Sequence, residues 1–168
     1  MYSECKSYLV GLLKTAGIKT KPYTSMAALG KSMESHLGAV IFENEALSRN
    51  GSKKQFTDDG ARKKRKKVFD RNLTFTVTIG EYSDDAVEEI YENFLAGLDQ
   101  GIYVKGSYVP IEVEDADWVD KDDSILKSKV AVQVKVTFDG GVYKDTSFAK
   151  IGEIEIASVE REEPIDGN

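Results

Sequence analysis

Between Lys127 and Tyr143 the chain reads KSKVAVQVKVTFDGGVY, a stretch that only an extended strand accommodates. Val130, Val132, Val134, Val136 and Phe138 alternate with Ala131, Gln133, Lys135 and Thr137. A period of two puts the valines on a buried face and the more polar residues on a wetter one. Such a segment belongs at the centre of an antiparallel sheet. Leu73 to Ile79 repeats the pattern: Leu73, Phe75, Val77 and Ile79 face one way, Thr74, Thr76 and Thr78 the other, so the two segments are natural partners. Asp139-Gly140-Gly141 supplies residues that tolerate positive φ and is expected to turn the chain tightly before Val142 and Tyr143.

Helical periodicity occurs in two strong places. Ser3 is placed to cap a helix carrying Cys5, Leu9, Leu12, Leu13 and Ala16 at helical spacing, with Gly17 ending it. Ser83 or Asp84 caps a second, in which Val87, Ile90, Tyr91, Phe94, Leu95 and Leu98 form one apolar stripe. Acids crowd its first turn, where the helix dipole favours them. Gly97 or Gly101 marks its end, and the stripe is expected to cover the valine face of the sheet. A weaker helix starts at Thr24 or Ser25 with Met26, Leu29 and Met33, interrupted by Gly30. Leu37 to Leu47 reads as a strand, with Val40 and Phe42 on one face and Ile41 on the other. Ile102 to Val104 and Tyr108 to Val113 pair around Lys105-Gly106-Ser107, and Pro110 argues for an edge position. Ile151 to Val159 is expected to add a last strand or arm, and Arg161 to Asn168 a frayed tail.

These elements predict a single α+β domain over residues 1–150, with a mixed, mainly antiparallel sheet and helices on one face, followed by an extension over 151–168. At 168 residues one core suffices. With 40% hydrophobic and 31% charged residues, and no apolar run near the ~20 residues of a membrane helix, no bilayer span is expected. The first residues show no secretory signal, so synthesis in a cytoplasm is expected. One cysteine and one histidine provide neither an internal disulfide nor a zinc ligand set, and Cys5 reads as core.

The net charge of −6 conceals a segregation: Gly51 to Lys67 holds eight basic and two acidic residues, Glu81 to Asp123 fourteen acidic and two basic. Opposite patches this far apart suit either self-association or plain solvation. Arg49 to Lys67 is nearly devoid of apolar residues and reads as a long mobile basic loop over 49–67. Within it stand Arg62, Lys63, Lys64, Arg65, Lys66 and Lys67, the candidate contact residues. Three roles suit the run: non-specific phosphate contact, partner or subunit contact, or solubility. Absence of interleaved aromatics excludes base stacking as its basis. Asp115 to Ser124 reads as an acidic loop around Trp118; it lacks the glycine and terminal glutamate of a calcium loop. Neither it nor the lone His36 furnishes a catalytic set, so no catalytic residue, metal or cofactor is expected.

The order helix, strand, long loop, threonine-rich strand, acid-capped helix, edge strands around Asp117-Trp118 and a closing strand ending in VTFDGGVY resembles the tail terminator, or tail completion, proteins of long-tailed bacteriophages and related prophages. The resemblance runs from about Tyr2 to Tyr143. It implies a non-enzymatic virion protein, made in the host bacterium and located at the tail or neck. Such a subunit closes into a hexameric ring, stops tube growth and meets both the tail tube protein and the head connector. The extension after Lys150 and the strength of the basic run depart from that pattern. A small nucleic-acid-binding module using the basic loop is the alternative reading.

Overall fold

The computed structural model describes residues 1–120 and 130–148. Its elements are α1 (Tyr2–Ala16), α2 (Met26–Leu29), β1 (Leu37–Arg49), β2 (Lys53–Asp58), β3 (Ala61–Glu81), α3 (Asp84–Ala96), β4 (Gly101–Val104), β5 (Ser107–Asp120) and β6 (Val130–Ser147). The strands form a six-stranded sheet in the order β1-β3-β6-β5-β4, with β2 also on β3, and every pairing between them is antiparallel. The result is one α+β domain.

The two alternating segments meet as their patterns require. Phe75 stands opposite Val136, Val77 opposite Val134 and Ile79 opposite Val132. With Leu73 and Phe138 these side chains are fully buried, and α1 and α3 cover them through Cys5, Leu9, Leu13, Val87, Ile90 and Phe94. Rings of Phe75 and Phe138 meet edge to face at 5.9 Å. On the opposite face Leu29 of α2 packs with Leu37, Ala39 and Ala131. There the threonines satisfy one another: Thr74 and Thr137 hydroxyls lie 2.9 Å apart, and Thr137 donates to Glu114 at 3.0 Å.

Capping follows the expected chemistry. Ser83 Oγ accepts from Ala86 N–H at the start of α3, and Gly97 ends that helix. Ser25 caps α2 in the same way, although α2 stops at Leu29 and leaves Met33 outside it. α1 starts ahead of the expected Ser3 cap, with Met1 at the N-cap and Gly17 (φ 131°) at its end. The β4–β5 hairpin turns on Lys105 and Gly106, at φ 50° and 74°. Pro110 pairs with Gly101 just before the β6 ladder begins at Ile111. β5 therefore pairs with β4 through residues 107–110 and with β6 from Ile111 on, and the stretch that bears Pro110 has β4 as its one ladder partner, in keeping with the proline.

Three segments differ from expectation. Asp139-Gly140-Gly141 does not turn; it runs straight through β6 opposite Asn72, Arg71 and Asp70. The glycines give clearance instead: a Cβ on Gly140 would strike the Met1 side chain, and one on Gly141 would meet Lys67 Cε and the Tyr143 ring. Residues 49–67 are not an irregular loop. β1 extends to Arg49, β2 follows, and the chain reverses at Asp59-Gly60, both at positive φ (48° and 76°), the I′ hairpin geometry. Lastly, 115–120 belong to β5 and not to an acidic loop, with Ala116 to Val119 paired to β6. The expectations for 121–129 and for the strand or arm at Ile151 to Val159 and the tail beyond it lie outside the described residues.

Replacing Val134 by Asp places a carboxylate among Val77, Phe94 and the other fully buried side chains with no partner. The expected loss is about 3 kcal/mol or more. Urea unfolding followed by circular dichroism measures it; an unchanged midpoint and slope would show that this face is not the core.

Candidate assembly surface

Residues 50–68 and 141–148 form a three-stranded arm of β2, the first part of β3 and the last part of β6. None of these residues is buried. The six cations of the run occupy consecutive positions of β3, and a strand sends consecutive side chains to opposite faces. The block in the sequence is thus two rows in space. Residues directly opposite across an antiparallel pair share a face, so the register gives each row its neighbours.

Lys63, Arg65 and Lys67 form the row that the chain itself neutralises. Lys63 Nζ lies 2.5 Å from Asp58 Oδ2. Arg65 donates Nε and Nη2 to the two Asp145 oxygens, both at 2.7 Å, and Nη1 to Ser107 Oγ at 3.2 Å. Its guanidinium also lies over the rings of Phe56 (4.9 Å) and Tyr143 (5.6 Å). One side chain on β3 therefore ties down β2, β5 and β6. Lys67 pairs with Asp70 at 2.7 Å, and Asn50 Nδ2 donates to both oxygens of the same carboxylate. Arg65 holds the Asp145 carboxyl below its ordinary range; Lys67 and then Asn50 do the same for Asp70.

The second row is different. Lys66 faces Lys53 on β2 and Lys144 on β6, while Lys64 faces Gln55 and Thr146. Among the described residues no ion pair reaches Lys53, Lys64, Lys66 or Lys144. Arg62, opposite Thr57, continues this row toward the tip.

A larger group of acids lies elsewhere. Asp84, Asp85, Glu88, Glu89 and Glu92 are exposed on α3, and Glu112, Glu114, Asp115 and Asp117 on β5. Trp118, opposite Val132 and so on the face that α3 covers, is 50% exposed and meets Tyr91 edge to face at 6.2 Å, whereas Glu112 and Asp117 stand opposite Thr137 and Gln133 on the other face. A hollow of about 320 Å³ opens beside Arg65, lined in part by Met1, Arg71, Lys105 and Ser107. Arg71 there already holds Glu45 at 2.7 Å.

Other candidate groups have structural places. His36 Nε2 accepts from Lys19 N–H at 3.0 Å while Nδ1 contacts Glu81, which fixes the chain ahead of β1 to the end of β3. Burial pushes the Cys5 thiol up to about 11, far from reactive. Among the described residues no group of three or more His, Cys, Asp or Glu is arranged for a metal, and no helix is long and apolar enough to cross a membrane.

Lys53 and Lys144 are absent from the sequence-derived contact set. Asp59-Gly60 carries the signal for Lys53, because counting back from a two-residue turn places it opposite Lys66. Lys144 carries none, since its place depends on a long-range register with a bulge between Lys67 and Phe69.

The two rows predict different responses to neutralisation. Arg65→Gln removes two ring contacts and the Asp145 pair, an expected loss of about 1 kcal/mol or more, whereas Lys66→Gln should stay within about 0.5 kcal/mol. Because Asp145 has a lowered folded pKa, its pairing stabilises the fold fully above the unfolded value of about 4 and is lost as pH falls through the folded value. The gap in melting temperature between wild type and Arg65→Gln should therefore narrow on acidification. Calorimetry across neutral to acidic pH checks both points.

No protein-family model matches the chain, and no curated protein matches it either.

Proposed function

We propose that the chain is a structural, non-enzymatic protein of a phage or prophage tail that closes into a homo-oligomeric ring, caps the tail tube and joins the tail to the head connector. The observation that carries this reading is the three-stranded arm, an ordered projection that buries no residue of its own. Ordering a strand costs about 1 to 2 kcal/mol per residue, and a blade without a core recovers little of that within its own subunit. Contact with a neighbour supplies the missing burial. The arm is positive, while α3 and β5 expose acids and Trp118 stands half exposed beside Tyr91 of α3. A basic arm on one copy and the acid-bearing α3 of the next, with Trp118 beside it, make a head-to-tail contact, the kind that closes rings. Arg65 with Phe56 and Tyr143 gives the arm an Arg-aromatic centre of the composition that protein interfaces favour.

Excision of residues 53–66 tests it cleanly. Lys67 N–H already donates to Ser52 O at 2.9 Å, so an Asn-Gly turn between them closes a shorter hairpin without disturbing the core. Light scattering should find the intact chain as a closed oligomer that loosens in high salt, and the shortened chain as a folded monomer. In extracts of a tail-forming phage lacking this protein, only the intact chain should restore joined tails. A monomer at every concentration and salt, together with no effect on tails, would overturn the reading.

A further inference from the structure

Lys53, Lys66 and Lys144 face one another on three adjacent strands, spaced about 4.8 Å apart, and Lys64 lies two residues along β3, about 6.7 Å away. Like charges directly opposite across strands destabilise a sheet. Nothing among the described residues offsets that repulsion. The four lysines and Thr146 line a shallow groove of about 310 Å³. Gln55 and Thr146, both opposite Lys64, add uncharged donors to the same face.

We propose that Lys53, Lys64, Lys66 and Lys144 bind the phosphate backbone of a nucleic acid without regard to its sequence. The face carries no aromatic or aliphatic side chain opposite its lysines, whereas protein interfaces are built on apolar and aromatic centres and are depleted in lysine. Where this chain holds carboxylates on the arm, on its other face, it sets one cation against each: Lys63 on Asp58, Arg65 on Asp145 and Lys67 on Asp70. Four clustered ammonium groups instead match a dense, linear array of point charges. A nucleic-acid strand supplies one about every 3.4 Å along its axis. With no ring on this face to stack on a base, the contact is to phosphates. It stands independently of ring formation.

Fluorescence anisotropy of a labelled mixed-sequence DNA duplex, titrated with the full chain across a salt series, tests the site. Four phosphate contacts give a slope of log K against log salt of about −3.6, and Lys64→Gln/Lys66→Gln should reduce its magnitude by about 1.8. Lys54→Gln/Lys63→Gln removes the same charge from the opposite face and should leave the slope unchanged; thermal melts confirm that both variants fold. Three results overturn the proposal: no binding at low salt, equal weakening by the two double variants, or a change in oligomeric mass for Lys64→Gln/Lys66→Gln without any change in DNA binding. The last would assign the face to a second copy of the chain.

Discussion

The ladder between β3 and β6 is the interaction on which everything else rests. These are the two longest strands, and their register runs from Glu81 opposite Val130 to Lys63 opposite Ser147. At one end the ladder presents a wall of fully buried valines, phenylalanines, leucine and isoleucine on which α1 and α3 sit. At the other it continues with no helix above it among the described residues. The same pair of strands is therefore both the floor of the core and the spine of the arm. Burial at the core end holds the strands together, and the hydrogen-bonded ladder carries that order outward into a region with no core of its own.

That continuity also explains how much was legible in the sequence. Alternation identified Val130 to Phe138 and Leu73 to Ile79 because a half-buried strand must write its two faces into its side chains. The stripe from Val87 to Phe94 was legible for the corresponding reason at helical period. Beyond the core the signal fades: a strand exposed on both faces needs no apolar alternation, so Arg62 to Lys67 look like a loop although Lys63 to Lys66 are paired on both sides. Asp115 to Asp117 in β5 were hidden for another reason, since the register shift between Val113 and Ala116 breaks the alternation there. Turn residues misled where they had a second use. Gly140 and Gly141 clear space for Met1 and Lys67, whereas the working turn, Asp59-Gly60, sat inside the segment set aside as irregular.

The candidate surface was legible as charge and illegible as geometry. A run of six cations is visible in any reading, but its division into a row engaged by Asp58, Asp145 and Asp70 and a row engaged by nothing among the described residues requires the partners on β2 and β6. Arg65 shows the distinction most clearly. In sequence it is one of six equivalent cations; in the fold it is the clasp between four strands.

The irregularity between Lys67 and Phe69 sets the phase of the arm. On the core side of it, odd-numbered residues of β3 share a face with Val142 and Phe138; beyond it, odd-numbered residues pair instead with Tyr143 and Asp145. Val68 is the extra residue that makes this half-period slip. In an unslipped strand Arg65 would sit opposite Thr146 and Lys66 opposite Asp145, so each row would meet the wrong partners. A single inserted residue thus decides which half of a uniform basic run becomes internal scaffolding and which half stays available to the outside.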